Sequence, residues 1–447
     1  MQTSLDAAAT TGIDNKLHTA NRAFAAAHPG DSGARQPVHT VYGGAHLFAA
    51  GTARKMGDVA LRTLQEHAPT PAALARGMTG TDGDTALWEK VYARVAEKLQ
   101  REPVEDFRID FEDGYGTRPD AEEDGHAVAA ATEVARGLRD GGLPPFVGIR
   151  IKPFTDPCYA RSKRTLDLFV TTLAGKLPPH FVVTIPKVTH VAEVEALCAL
   201  LELLEARTGL APGSLRYELM VETPQAVLDA GGRSPLRSFV DAGRGRCRGA
   251  HFGTYDYTAG VNVVATYQGM EHPACDFAKH VMSVTLAGTG MQLSDGATNI
   301  MPVVPYRAAA GQTLSPDQKR DNDAAVHRAW RIAYANTRHS LQGGFYQGWD
   351  LHPAQLPVRY AAAYSFFLEA LGSTTDRLRA FVDKAARATL LGDVFDDAAT
   401  GQGLLNFFLR GLACGAITED EARATGLAPE DFATRSFVAI LERRKQA

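Results

Sequence analysis

The stretch ELMVETPQAV, residues 218–227, carries the pattern that decides the fold. An apolar run ends at Glu222, and Pro224 then begins a helical pattern, because proline is favoured at the first position of a helix. A buried strand, a charged residue at its end and a helix directly afterwards are typical of an α/β barrel, whose functional groups lie at the carboxyl ends of its strands. This stretch therefore predicts a strand–helix unit with Glu222 at its functional end.

Units of the same kind recur on both sides of this stretch. Eight candidate strands alternate with helical patterns, which predicts parallel strands joined by helices and favours a closed TIM (β/α)8 barrel. The alternative, an open doubly wound sheet, would carry a GxGxxG fingerprint after its first strand, whereas this chain has YGGAHLF at residues 42–48. The candidate strands are residues 41–48, 107–111, 146–151, 181–185, 217–221, 249–253, 297–303 and 344–349, and the helical patterns include residues 120–138, 191–207, 224–230, 277–287 and 321–341.

The predicted barrel is flanked by two further segments. Residues 1–37 predict a helix followed by a loop, residues 38–357 form the barrel as the catalytic domain, and residues 358–447 predict a C-terminal helical extension. The polar segment 312–323 predicts a loop or lid. The extension is expected to contain helices at residues 358–371, 376–389, 403–414 and 436–444.

Composition argues against several classes of protein. The net charge is −4 and no basic stripe is present, which argues against nucleic-acid binding. No apolar stretch reaches the ~18 residues that cross a bilayer, and the N-terminus lacks the pattern of a signal peptide. Five cysteines without a CxxC pair argue against a disulfide framework and against a cysteine-ligated zinc. We therefore expect a cytoplasmic protein.

Charged residues follow the second and third candidate strands. Asp110, Glu112 and Asp113 crowd the end of the second strand, where they would support a metal ion from its second shell or anchor a loop; the alternative is that one caps a helix and one is solvated. Arg150 lies inside the apolar run of the third strand and needs a buried anionic partner. Its planar fork suits a substrate carboxylate, and a structural ion pair with Glu112 or Asp113 is the alternative.

Two further carboxylates follow the fifth and sixth candidate strands. Glu222 and Asp256 come from consecutive strand ends, and together they could bind one Mg²⁺ ion, which takes one or two protein carboxylates and fills its other positions with substrate oxygens and water. The neighbouring Gly253, Thr254 and Tyr255 are candidate substrate-binding residues.

Three more residues are candidates for the chemistry itself. Lys187 follows the fourth strand, where it could bind substrate or form a Schiff base, and the nearby carboxylates favour a charged, ion-pairing lysine. Asp350 and His352 follow the last strand as a candidate general acid–base pair. A histidine in this position could equally have a structural role.

Seven segments, in order, resemble those of the citrate lyase β-subunit-like branch of the HpcH/HpaI aldolase superfamily. This superfamily includes malyl-CoA lyases and is similar in its barrel to malate synthases. The ordered set covers roughly residues 40–360. The segments are AHLFAAG, RIDFEDGYG, GIRIKPF, TIPKV, VETPQAV, GTYDYTAGV and GWDLHPAQL.

The resemblance implies a Mg²⁺-dependent barrel enzyme of the phosphoenolpyruvate/pyruvate type, with Mn²⁺ as an alternative ion. It implies that Glu222 and Asp256 hold the metal and that Arg150 binds the carboxylate of an oxo-acid. The acidic motif that begins at Phe111 would support metal-bound water or the arginine. The resemblance also implies a homo-oligomer.

These observations together predict a Mg²⁺-dependent carbon–carbon lyase or aldolase, able also to run as a condensing enzyme. Its substrate is expected to be a 2-oxo or 2-hydroxy acid, or the CoA ester of one, and the bond is made or broken through an enolate. Two alternatives stay open: a malate-synthase-like condensing enzyme, and a barrel that binds an oxo-acid without catalysis.

Overall fold

Eight parallel strands close into a barrel in the computed structural model of the protein, which describes residues 4–309, 311–383, 389–391, 394–396 and 398–446. Each strand pairs with the next one along the chain, and the eighth pairs with the first. The barrel strands are β1 His39–Gly44, β2 Asp106–Asp110, β3 Phe146–Arg150, β4 Val182–Ile185, β5 Arg216–Val221, β6 Cys247–Phe252, β7 Gln292–Ala297 and β8 Gln347–Asp350; a separate hairpin pairs β9 Thr389–Leu391 with β10 Val394–Asp396.

Helices surround the barrel and continue beyond it, which confirms the predicted TIM barrel with a C-terminal helical extension. The helices are α1 Ala7–Ala27, α2 Thr52–His67, α3 Pro71–Thr79, α4 Thr85–Arg101, α5 Asp120–Asp140, α6 Asp156–Thr172, α7 Val191–Thr208, α8 Pro224–Val227, α9 Leu236–Ala242, α10 Thr254–Gly260, α11 Pro273–Leu286, α12 Pro316–Gln342, α13 Leu356–Asp383, α14 Ala398–Ala413, α15 Glu419–Arg423, α16 Pro429–Thr434 and α17 Phe437–Gln446. None of the helices described is long and apolar enough to span a membrane.

The interior of the barrel contains a network of buried charges. Arg108 on β2 donates to Asp106 on the same strand and, at 2.6 Å, to Glu218 on β5. His251 Nε2 on β6 lies 3.2 Å from the same Glu218 carboxylate. All four side chains are buried, so the Arg108 guanidinium and the carboxylates beside it depend on one another rather than on water.

The seventh strand was wrongly predicted at residues 297–303 and lies instead at Gln292–Ala297. Its sequence, QLSDGA, contains polar residues that are buried with partners: the Asp295 carboxylate accepts from Lys279 Nζ at 3.0 Å and from Ser340 Oγ at 2.6 Å. The apolar run after residue 297 contains two prolines, which lack the N–H that a central strand donates, and it forms no strand.

Two predictions near the C-terminal half also need correction. The predicted loop at residues 312–323 overlaps α12, because Ser315 caps the helix by accepting from the Gln318 N–H at 3.2 Å. Most polar residues of the first turns are exposed, whereas Asn322 is buried. The predicted helices 358–371 and 376–389 are one helix as far as Asp383. Of the remainder, residues 384–388 lie outside the described residues, and residue 389 begins β9.

The two ends of the chain meet below the barrel, at the amino ends of the strands. Gln36 donates to the Leu293 carbonyl at 3.0 Å and accepts from Arg410 Nη1 at 2.9 Å. Asp31 forms ion pairs with Arg435 at 2.9 Å and with Arg410 at 3.4 Å. The N-terminal segment is therefore held between the barrel and the C-terminal extension, whereas the residues of α1 are mostly exposed.

Replacing Arg108 by methionine should lower the free energy of unfolding by about 3–5 kcal/mol, because it leaves two buried carboxylates without their cation. Urea denaturation followed by circular dichroism measures this change. The control is Arg76→Met, which removes an arginine from a solvent-exposed ion pair with Asp82 and should leave the unfolding midpoint unchanged. Equal effects of the two substitutions would contradict the interpretation.

Candidate active site

A cavity of about 440 Å³ opens at the carboxyl ends of the barrel strands. This is the end at which α/β barrels place their functional groups. The cavity has an acidic and cationic side and an apolar side. Its lining is formed by Tyr42, Asp110, Asp113, Gly114, Arg150, Glu222, Gly253, Thr254, Tyr255, Asp256, Ala297, Trp349 and Leu351.

Glu222 and Asp256, the predicted metal-binding residues, both line this cavity. Glu222 directly follows β5 and is 2% exposed. Asp256 lies in the first turn of α10, and its side chain is 41% exposed. Gly253 makes room for Glu222, because a Cβ atom at Gly253 would lie 2.5 Å from the Cβ of Glu222. Any larger residue at position 253 would displace the carboxylate.

Glu222 is a buried carboxylate that forms no ion pair with a side chain of the described residues. Its Oε1 accepts from the backbone N–H of Lys187 at 2.8 Å, and within the described part of the chain no lysine, arginine or histidine nitrogen lies within ion-pairing distance of it. Burial raises the pKa of Glu222 to about 8, despite the opposing effect of the Lys187 and Arg150 charges. Such a group needs either a proton or an additional cation.

Glu222 and Asp256 fit a hard divalent cation that takes few of its ligands from the protein. Among the residues that the structure describes, no cluster of three or more His, Cys, Asp or Glu side chains could hold a metal ion. Two carboxylates are nevertheless enough for Mg²⁺, which usually keeps several water or substrate ligands. The oxygen-only donor set and the missing counter-ion of Glu222 are both consistent with that ion.

Two of the three guanidinium nitrogens of Arg150 are bound to Asp110 and are therefore not free to bind a ligand in the cavity. The Nε and Nη2 atoms donate to the two carboxylate oxygens of Asp110 at 2.7 and 2.5 Å. The remaining Nη1 lies 3.2 Å from Glu112, and the guanidinium carbon lies 4.9 Å from the centre of the Tyr42 ring. A substrate carboxylate could therefore engage only the Nη1 edge of Arg150.

The acidic residues after β2 are held by the loop that contains them. Asp110 also accepts from the N–H groups of Glu112 and Gly114, at 3.0 and 2.8 Å. Glu112 lies between Arg150 and Lys187, and Asp113 is the most exposed of the three predicted acidic residues. The loop-anchoring arrangement predicted for this motif is thus present at Asp110, while a role toward a metal stays a prediction.

Lys187 points into the acidic group rather than into an apolar pocket. Its ammonium lies 2.5 Å from Glu112, 3.2 Å from Asp113 and 3.6 Å from Asp256. Burial alone would lower the pKa of Lys187, but Glu222 and Glu112 outweigh that effect and raise it. A lysine held in its charged form is a poor Schiff-base nucleophile, so the geometry favours the ion-pairing role.

The residues after β6 form the wall opposite Arg150. The Tyr255 hydroxyl donates to the Ala297 carbonyl at 2.8 Å and accepts from the Asn299 N–H at 3.0 Å, which fixes the ring. The Thr254 hydroxyl is buried without a hydrogen-bond partner among the described residues. Gly253, Thr254 and Tyr255 thus lie where the sequence predicts substrate contacts, and those contacts stay predictions.

Asp350 and His352 have structural partners and do not line the cavity. Asp350 is buried between Arg359 and His39. Arg359 Nε lies 3.2 Å from one carboxylate oxygen of Asp350, and His39 Nδ1 lies 3.0 Å from the other. His352 accepts from the Ala354 N–H through Nδ1 at 3.1 Å and so caps a short helical turn. The acid–base role of this pair stays a prediction, and these contacts favour a structural role.

Sequence reasoning missed two aromatic residues of the cavity, Tyr42 and Trp349. Tyr42 lies beneath Arg150, and its ring centre is 4.6 Å from that of Trp349. Side chains alternate between the two faces of a strand, so Trp349 and Leu351 face the cavity while Asp350 faces the helices. This alternation in QGWDL was the signal that could have identified them.

Comparisons with known proteins found one family profile and several solved structures. A family profile described as "Domain of unknown function (DUF6986)" matches residues 17–440. No curated protein matches the chain significantly. Among solved structures, a citrate lyase from Burkholderia xenovorans LB400 is 22% identical with a TM-score of 0.53, covering 74% of this chain and 91% of its own. A Haloferax volcanii malate synthase in a magnesium/glyoxylate complex is 15% identical with a TM-score of 0.46, covering 91% of this chain and 97% of its own.

The affinity for a divalent cation should depend on pH through Glu222. This carboxyl must lose its proton before it binds a cation, and its pKa is raised to about 8. The Mg²⁺ association constant should therefore rise by about tenfold per pH unit below pH 8 and level off above it. Isothermal titration calorimetry between pH 6 and 9, in two buffers of different ionisation enthalpy, also counts the protons released. An affinity that does not change with pH would contradict this role of Glu222.

Proposed function

The chain belongs to the DUF6986 family, and we propose that it is a Mg²⁺-dependent carbon–carbon lyase acting on a 2-oxo or 2-hydroxy acid or its CoA ester. The observation that carries this proposal is the shared cavity of Glu222, Asp256 and Arg150. Two carboxylates from consecutive strand ends and one arginine are what binding a metal-chelated oxo-acid requires. The ordered motifs that resemble citrate lyase β-subunit-like enzymes support the same conclusion.

The residues of the cavity have separable tasks in such a reaction. Bound Mg²⁺ would stabilise the negative charge that develops on substrate oxygens as the enolate forms. Arg150 would donate from Nη1 to the substrate carboxylate, while Asp110 and the Tyr42 ring keep its guanidinium plane fixed. The ion pair with Asp110 occupies Nε and Nη2 of Arg150, but it also holds Nη1 in a fixed orientation. A donor that is already oriented needs no rearrangement when negative charge develops on the substrate, so this ion pair would favour catalysis.

The apolar side of the cavity would exclude water from the reacting carbon. Trp349, Leu351 and Ala297 lie on this side. An enolate is readily protonated by water, so a dry wall next to it favours transfer to the intended partner. The same wall suits the hydrocarbon part of a hydroxy acid or of an acyl thioester.

Turnover should require both the divalent cation and its two carboxylates. We expect cleavage of 2-hydroxy acids or their CoA esters to stop with EDTA and to return with Mg²⁺ or Mn²⁺, and Glu222→Gln and Asp256→Asn to lower kcat/KM by at least about a hundredfold. The control is Asp241→Asn, which removes the same charge at an exposed position of α9. Full activity in EDTA or in Glu222→Gln would overturn the assignment.

The same substrate panel separates the alternatives. Free acids and CoA esters are offered in the cleavage direction, and glyoxylate with acetyl-CoA is offered in the condensing direction. Product only from the latter would identify a malate-synthase-like enzyme. Binding of an oxo-acid without turnover in either direction would favour the non-catalytic barrel. Sedimentation of the same preparation tests the expected homo-oligomer.

Substitution of Asp350 distinguishes a structural role from a catalytic one. Because Asp350 balances Arg359 and His39, Asp350→Asn should lower Tm by several degrees while the folded enzyme keeps most of its kcat. Thermal unfolding and steady-state kinetics on the same sample give both values. Loss of kcat at an unchanged Tm would restore the general-base role.

A further inference from the structure

Lys187 touches both predicted metal-binding carboxylates, one through its backbone and one through its side chain. Its N–H donates to Glu222 Oε1 at 2.8 Å, and its ammonium lies 3.6 Å from Asp256 Oδ1. The same ammonium also pairs with Glu112 and Asp113. One side chain is therefore the cation on which three carboxylates of the site converge.

The backbone of Lys187 adopts a conformation that a lysine rarely takes. Its φ angle is +51°, in the left-handed region where a Cβ atom is crowded by the backbone. Glycine adopts this region without that cost. Conformations of this kind concentrate at functional sites, where surrounding contacts maintain them. In this conformation the Lys187 N–H donates to Glu222 while the side chain reaches Glu112.

We propose that Lys187 is an internal counter-ion, which a divalent cation displaces from Asp256. This inference rests on the proposed function, because it takes Glu222 and Asp256 as the ligands of the cation. In the metal-free protein the ammonium offsets the repulsion among Glu112, Asp113 and Asp256. It does so from a fixed position, because the backbone N–H remains bound to Glu222.

Displacement needs only a short movement of the side chain. A divalent cation at Asp256 repels an ammonium a few ångströms away, and Asp256 is the most distant of the three partners of Lys187. Glu112 and Asp113 hold the ammonium at 2.5 and 3.2 Å and would keep it at the edge of the cavity. The backbone contact to Glu222 is unaffected, so one residue orients the first carboxylate while it releases the second.

This arrangement also discriminates between cations by charge. The Lys187 ammonium is a monovalent cation tethered beside its carboxylates, so free Na⁺ or K⁺ competes poorly with it. A divalent ion gains about twice the Coulomb energy from the same carboxylates and can replace it. Lys187 would thus keep monovalent ions out of the site in the absence of the metal.

The test measures metal binding directly, with Mn²⁺ as the probe and electron paramagnetic resonance of free Mn²⁺ as the readout. Lys187→Met removes the charge and keeps the length of the side chain, and Lys187→Gly removes the charge and suits the positive φ. Both should bind Mn²⁺ about tenfold more tightly than the unaltered protein, and K⁺ should now weaken that binding.

Two controls accompany these variants. Lys187→Arg keeps the charge and should not bind Mn²⁺ more tightly. The matched control is Lys163→Met, which removes an exposed charge on α6 and should leave the affinity unchanged.

Unchanged or weaker Mn²⁺ binding in folded Lys187→Gly would overturn the inference. A second readout is the rise in Tm on adding Mg²⁺, which should be larger in both uncharged variants than in the unaltered protein. Failure of the proposed function has a different signature. Mn²⁺ binding by the unaltered protein that persists in the double variant Glu222→Gln/Asp256→Asn would place the metal elsewhere, and this would remove the metal site and the inference together.

Discussion

The ion pair between Arg150 and Asp110 joins the ends of β3 and β2, and the remaining contacts of the site build on it. The two residues are direct partners in the register of these strands, and both are buried. Asp110 is also the acceptor around which the loop after β2 folds, through the N–H groups of Glu112 and Gly114. Glu112 is thereby fixed where it meets Lys187, and Lys187 in turn meets Glu222. The charged residues from Asp110 to Glu222 are thus positioned by contacts with one another.

Two layers of charge are stacked inside the barrel, with Tyr42 between them. The ring of Tyr42 lies beneath Arg150 in the upper layer, and its hydroxyl lies 3.4 Å from His251 in the lower one. Buried charges cost desolvation energy, and a slip of one residue in any strand would separate them from their partners. The network therefore opposes alternative registers in a sheet whose strands all have similar lengths.

Sequence reasoning placed residues correctly where their position follows from topology, and it failed where their position depends on partners that are distant in the sequence. That Glu222 and Asp256 share a cavity follows from their places after consecutive parallel strands. The full set of partners of Arg150 does not follow in the same way. The ion pair with Glu112, one of the alternatives that the sequence offered, is present at 3.2 Å, but strand register also brings Asp110 to Nε and Nη2, and this pairing was not predicted. The seventh strand was misplaced because Asp295 looks like a loop residue until Lys279 and Ser340 are seen to surround it. Asp350 was predicted as an acid–base residue because it is charged and follows a strand, but the alternation of side chains along β8 directs it away from the cavity.

The contacts between residues 31–36 and the C-terminal extension bear on the order in which the barrel is completed. β1 pairs with β8, and Asp31 and Gln36 are held by Arg410 and Arg435 of the extension. All of these partners are translated after the strands β1 to β7. β1 therefore keeps one edge unpaired until β8 has been made. An unpaired edge can associate with other chains. Closure of the barrel is therefore a late step of folding, and it removes an exposed sheet edge that could otherwise pair with other chains.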